Sequence, residues 1–321
     1  MSDVNAPSFI DFDVLRGWRE HRDPELQQPH RLPALAQLEM LGDDGDPKVQ
    51  YSLHGPQVML GRYRPQHGPV DLHLPRLKDH QRYRLGAPHA QLELKEGRWQ
   101  VEAVNPRAST EVDGVSHEYL HEPRPLEDGM ELKLGVVRFR FQSTDISVDD
   151  WQSARDELLQ QVDGPALFLK RAGGICGPYR RLDERHQLVV GRSHPGPGEL
   201  PDSGQWPPVP ESFWDLSGLF DHERNLVGFQ HVAVSCEDDG WYARELSTRQ
   251  DTFVNRVAIT AEKTVLSNGD ELALGSVIVR FHDPADGADQ TPRQHIPTVV
   301  DWQEEKPPDQ MNVPPDPGED S

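Results

Sequence analysis

LSNGDELALGSVIVRF, residues 266–281, repeats with changes an earlier stretch, LEDGMELKLGVVRFRF, residues 126–141. Leu, an Asp- or Asn-Gly pair, Glu-Leu-x-Leu-Gly and a closing Arg-Phe stand at the same places, at a constant offset of 140. Asp-Gly and Asn-Gly are strong signals for a hairpin-type turn, and the alternation around them has the two-residue period of a half-buried strand. Upstream the correspondence continues at offset 142. LGAPHAQLELKEGRWQVEAV (85–104) pairs with VGFQHVAVSCEDDGWYAREL (227–246), so Gly86 falls on Gly228, His89 on His231 and Trp99 on Trp241. QVMLGRY (57–63) pairs with QLVVGRS (187–193) at offset 130. The second copy therefore carries twelve extra residues, in a Pro-rich stretch holding Trp206, Phe213, Trp214 and Phe220. These aromatics are expected to pack over their own domain.

A repeat of about a hundred residues that occurs twice predicts two tandem domains rather than a solenoid. They span residues 34–143 and 164–284. Within each copy, short alternating runs are punctuated by Gly, Pro, Asn and Asp, and helical periodicity is missing, which predicts a β-sandwich. In the first copy Leu92 and Leu94 share one face, a turn follows at Glu96-Gly97, and Trp99, Val101 and Ala103 alternate in the same way. Between the copies, residues 144–163 place Trp151, Ala154, Leu158 and Val162 at helical spacing, and Gly164 can end the run. This predicts a linker helix. Residues 1–33 read as loosely ordered. Residues 285–321, acidic and Pro-rich, read as a disordered tail.

Lys and Arg total 33 against 54 Asp and Glu, a net charge of −21. A balance so acidic repels phosphate backbones and argues against nucleic-acid binding, while it suits basic partners. The two cysteines, Cys176 and Cys236, make neither a disulfide framework nor a metal pair. The His residues of HGPVDLHL (67–74) have no carboxylate or Cys spacing around them that suits a metal. No stretch approaches the ~18 apolar residues of a membrane span, and the N-terminus lacks the basic and apolar regions of a signal peptide. The chain is expected to be cytoplasmic, without metal or cofactor.

The order Gly-Arg, His, Gly-(x)-Trp, Thr-x-Val-Asn, and Leu-x-x-Gly-Asp-x-Leu-x-Leu-Gly resembles the forkhead-associated (FHA) domain in both copies, across about two thirds of the chain. The resemblance implies an all-β architecture of two FHA-like sandwiches that bind phosphothreonine peptides through loops at one end. It implies four contact positions. The first is the Arg of Gly-Arg, Arg62 and Arg192, with Ser193 beside the latter; a guanidinium fork suits phosphate. An Arg here could equally tie the first loop to neighbouring carboxylates. The second is a Ser whose hydroxyl meets phosphate, and both copies have glycine instead, Gly86 and Gly228. A glycine amide could still donate. The third becomes Arg107-Ala108 in copy one and Arg249-Gln250 in copy two, where Gln250 can reach the peptide backbone on a longer arm. The fourth is Asn255, with Thr252 near it, against Asp113 in copy one. The resemblance gives His89 and His231 a structural place. No nucleophile recurs beside them, so catalysis is not expected.

These features predict a non-catalytic interaction module or scaffold with protein partners. Phosphothreonine recognition is weak or lost, most in the first domain. Three rivals stand beside it: a working phosphothreonine reader in a Ser/Thr kinase pathway, a subunit of a larger complex, and, remotely, a hydrolase.

Overall fold

The computed structural model describes residues 32–42, 44–62, 69–74, 85–105, 108–116, 122–192, 210–216, 219, 227–237, 240–247 and 251–286. Two β-sandwiches of matching topology follow one another. In the first, one sheet orders β2 (Pro47–Leu53), β1 (Ala36–Leu41), β11 (Val137–Ser143), β10 (Glu131–Leu134), β7 (Thr110–Val112) and β8 (Val115–Ser116). The other orders β4 (Leu72–His73), β3 (Gln57–Gly61), β5 (Ala90–Lys95), β6 (Arg98–Ala103) and β9 (Arg124–Leu126). The second sandwich repeats this strand for strand. Its first sheet is β13 (Gly174–Arg181), β12 (Ala166–Arg171), β22 (Val277–His282), β21 (Glu271–Leu274), β18 (Thr252–Val254) and β19 (Val257–Ala258). Its second is β15 (Phe213–Asp215), β14 (Leu188–Gly191), β16 (Val232–Glu237), β17 (Gly240–Glu245) and β20 (Thr264–Leu266).

Turns fall at the signalled positions, but Asp128-Gly129 and Asn268-Gly269 carry the chain from one sheet to the other, β9 to β10 and β20 to β21, instead of closing hairpins. Glu96 and Gly97 take φ of 51° and 75° between β5 and β6, the left-handed pair that a two-residue hairpin requires. Along β11, Val137, Phe139 and Phe141 point inward and are buried, while Arg138 and Arg140 lie half-buried on the outer face. Trp99 meets Phe141 edge-on at 5.9 Å, and the aligned pair Trp241 and Phe281 lie 6.0 Å apart. Each sandwich thus closes its core with the same aromatic pair. Trp214 and Leu216, at the end of the insertion, are buried in the second core, β15 pairing in parallel with β14. Trp206 and Phe220 lie outside the described residues, as do residues 1–31 and the tail from 287 onward.

The linker is α1, Val148–Gln160, capped by Ser147, whose hydroxyl accepts from the Asp150 amide. Trp151, Leu158, Leu159 and Val162 are buried with the first core. Leu32, at the edge of the segment expected to be loose, is buried too, and its carbonyl accepts from His54 Nδ1.

The two sandwiches are packed together. Strand β12 is buried on both faces: Leu167 and Leu169 enter the second core, while Ala166 and Phe168 join the helix and the first core. Its turn, at Ala172-Gly173, docks on His54-Gly55. The His54 amide donates to Ala172 O, Ala172 donates to Asp71 O, and Trp151 Nε1 donates to His54 O. A Cβ on Gly55 would come within 2.1 Å of Gly173 O, so the backbones meet where only glycine fits. Beside this seam Lys170 Nζ lies 2.7 Å from Asp71 and 2.8 Å from Glu271, with Arg256 4.0 Å from Asp71. Burial opposes both charges. The cations nevertheless hold the Asp71 carboxyl below its usual range, and the carboxylates hold the Lys170 ammonium above its own. Among the described residues no helix is long and apolar enough to cross a membrane.

Candidate functional site

At one end of each sandwich, the Gly-Arg motif, the glycine loop and the histidine are sewn together by backbone bonds. In the second unit His231 N donates to Val190 O and Arg192 N to Gly228 O, at 2.9 and 3.1 Å. In the first, His89 N donates to Leu60 O and Arg62 N to Gly86 O, at 2.8 and 2.9 Å. The motif glycines close this junction. A Cβ on Gly191 would stand 2.6 Å from His231 N, and one on Gly61 2.7 Å from His89 N. That contact is the physical reason for Gly before Arg in both copies.

The two arginines have a shared first duty. Arg62 Nε donates to Leu85 O at 2.6 Å, and Arg192 Nε to Val227 O at 2.5 Å. Each guanidinium thus clamps the residue before the loop glycine. Arg192 is buried and Arg62 half-buried.

His89 and His231 are fully buried. Nδ1 of each accepts from a loop glycine: Gly86 N at 2.9 Å and Gly228 N at 2.7 Å. The ring proton therefore sits on Nε2. His89 directs it at Ser109 O, 3.1 Å away. Asp251, the counterpart of Ser109, presents its carbonyl to His231, although Nε2 makes no bond of good geometry there. Burial, with the nearby guanidinium of Arg62 or Arg192, pushes His89 down to about 4 and His231 to about 3. Both rings are neutral struts. Their carbonyls take the amides of the next loop, Val104 and Asn105 in one unit, Leu246 and Ser247 in the other.

Two expectations change here. The glycine amides, read as groups that could still donate to a ligand, are both engaged by the histidine rings. Asn255 was expected among the peptide contacts. It sits instead at the far end of β18, three residues or ~10 Å from Thr252. With φ of 49° it forms the β18–β19 turn, accepting from Glu271 N at 2.9 Å and donating to Asp270 Oδ1 at 2.6 Å. A side chain so engaged belongs to the framework. Asp113 does the same in unit one, accepting from Glu131 N at 2.8 Å.

Thr252 lies at the site end but is wholly buried, its amide donating to Glu245 Oε1. The structure thus gathers Arg192, Gly228, His231 and Thr252 at one end, and Arg62, Gly86 and His89 at the other unit's equivalent. Ser193, Arg107, Arg249 and Gln250 lie outside the described residues.

A side chain at Gly86 would run into backbone, its Cβ 2.6 Å from Pro88 O, while one at Gly228 would crowd only side-chain atoms. A Cβ on Gly86 would lie 2.6 Å from Asn105 Nδ2, and one on Gly228 2.7 Å from Ser247 Oγ. Asn105 and Ser247 are aligned with each other at offset 142. The sequence reading passed over both, because nothing local marks them; only the loss of a side chain across the cleft gives them meaning.

The FHA domain family matches residues 215–275. Among solved structures, the FhaA FHA domain complexed with the intracellular domain of Rv3910 is 18% identical, over 33% of this chain and 99% of its own, with a TM-score of 0.26. The FHA domain of the CT664 protein from Chlamydia trachomatis is 16% identical, over 34% and 97%, with a TM-score of 0.27. The N-terminal FHA domain of S. cerevisiae Rad53p, in complex with a phosphothreonine peptide, is 17% identical, over 35% and 94%, with a TM-score of 0.27. No curated protein matches the chain.

Proposed function

We propose that this chain is a non-catalytic protein–protein interaction module. The loop end of its second unit recognises a phosphothreonine-bearing partner weakly, and its first unit serves as scaffold. The observation that carries this is the pair of loop glycines. Where a phosphate-facing hydroxyl would stand, neither Gly86 nor Gly228 has a side chain, both amides are engaged, and the space is closed by the Pro88 carbonyl at Gly86 and crowded by Ser247 at Gly228. The second unit is favoured because Ser247, next to Gly228, is half-exposed, whereas its counterpart Asn105 is buried and donates to Pro88 O. The neutral, enclosed histidines favour structural work over general acid–base chemistry. The same site end could serve within a larger assembly, and cytoplasmic placement fits a kinase-linked partner.

Titrating the full chain with a phosphothreonine peptide pool and its dephosphorylated twin tests this. Binding is expected at a Kd above about 10 µM, a modest affinity. It should need the phosphate, survive Arg62→Ala and vanish in Arg192→Ala. Binding indifferent to phosphate, or lost with Arg62 alone, overturns the assignment.

A further inference from the structure

We propose that Ser247 supplies, from the opposite side of the loop end, the phosphate-facing hydroxyl that position 228 lacks. This rests on the reading of the second unit as a phosphothreonine-recognising end. Three observations converge on it. A side chain at 228 would begin 2.7 Å from Ser247 Oγ and 3.1 Å from its Cβ, so Ser247 occupies the place a serine there would fill. Gly228 N is held by His231 Nδ1 at 2.7 Å, so the loop backbone at that position has no donor left for an anion. Ser247 N in turn donates to His231 O at 3.1 Å, which fixes its Cα against the same strut. One histidine thus takes the amide of the glycine with its ring and positions the serine with its carbonyl.

A hydroxyl is suited to this duty because it rotates and can donate to whichever phosphate oxygen is nearest. Ser247 is half-exposed, so an oxygen can reach it. The first unit shows the alternative outcome of the same replacement. Asn105 fills the space over Gly86, but it is 7% exposed and its Nδ2 donates to Pro88 O at 3.3 Å. Its amide closes the loop on itself. The residue across from the loop glycine is thus buried in one unit and half-exposed in the other.

The test uses the full chain, a pool of peptides with central phosphothreonine, and the dephosphorylated pool. Ser247→Ala is expected to weaken phosphopeptide binding about tenfold, the size of one hydrogen bond to a charged group. Ser247→Thr keeps it, and Asn105→Ala leaves it unchanged. Gly228→Ser alone lowers the melting temperature through the crowding at Ser247. Combining it with Ser247→Gly moves the hydroxyl back across the cleft and recovers both stability and binding. If the wild type prefers phosphopeptide and Ser247→Ala binds as well as it does, the assignment of Ser247 is overturned while the second unit remains a reader. If the wild type binds both pools alike, or neither, the phosphothreonine reading fails and the assignment with it.

Discussion

Position 255 accepts from the Glu271 amide and donates to the Asp270 carboxylate, a pair of duties that an amide side chain performs and a carboxylate cannot. At the aligned positions the first unit has Asp113 and Met130, so a carboxylate there meets no second carboxylate. Asn255→Asp is expected to destabilise the chain by roughly 1–3 kcal/mol, by setting two acceptors face to face. Adding Asp270→Asn reverses donor and acceptor and should recover the urea midpoint. If the double variant is no better than the single one, the pairing argument fails. The histidines set a second expectation. Both rings titrate far below the 6.5 they have when unfolded, so the unfolded chain takes up protons first. Their contribution is complete above pH 6.5 and is lost as pH falls, towards about 4 for His89 and about 3 for His231. Each ring steepens the decline by up to ~1.4 kcal/mol per pH unit. Unfolding free energies measured from pH 7 to 5 should fall, and each His→Gln variant should flatten the slope by up to one proton. An unchanged slope would mean that the rings are not held neutral. The roles of these residues were half legible. The sequence order Gly-Arg, Gly-x-x-His marked the loop end, but which of its atoms are tied up depends on contacts between segments about twenty or more residues apart, which spacing cannot reveal.

Among the strands, the closing strands β11 and β22 show what one sequence pattern can and cannot convey. In β11 the alternation VVRFRFQ is regular, and its outer arginines pair outward, Arg140 with Glu39 at 3.4 Å. That strand reads correctly as half-buried. In β22 the pattern SVIVRFH is nearly continuous, and every residue from Val277 to His282 is buried. A continuous apolar run fits a strand covered on both sides, but does not say by what. The cover is the neighbouring unit and α1. Where the first unit places Glu39 opposite Arg140, the second places Phe168 opposite Arg280, stacked on Tyr179 at 5.2 Å. The exchange of Glu for Phe turns a solvent face into a packing face. Asp128-Gly129 and Asn268-Gly269 marked turns, but ones that pass between sheets. The β5–β6 hairpin and the helix were legible because their signals are local, in Glu96-Gly97 and the spacing of Trp151, Leu158 and Val162. The outer-face burial was not, because it is a property of two units together.

For the molecule as a whole, the seam decides whether two sandwiches act as one body. Its hydrophobic part runs through Ala166, Phe168 and Trp151, and its polar part is the Asp71–Lys170–Glu271 cluster with Arg256 at its edge. Buried ions add little net stability when complete, but removing one partner strands the others away from water, at a cost of about 3–5 kcal/mol. Lys170 is the hub, touching a carboxylate from each unit. Both units of the wild type are therefore expected to unfold in a single urea transition, with tryptophan fluorescence and circular dichroism coinciding. Lys170→Met should lower the midpoint and separate the two probes, as the units come to unfold independently. Asp71→Asn combined with Lys170→Met removes the stranded carboxylate at the centre while keeping an acceptor for the Met59 amide, now provided by Asp71 Oδ2. It should regain most of the loss, since Glu271 keeps Arg280 at 3.5 Å. Two separate transitions in the wild type would show that the seam does not couple the units. A coupled seam also bears on binding. On the proposed reading the first unit is scaffold and the second alone binds, so the seam fixes where the binding end stands without forming part of it. Breaking the seam with Lys170→Met should thus leave the affinity of unit two for a single phosphopeptide unchanged, which separates the mechanical role of Lys170 from the recognition role proposed for Ser247.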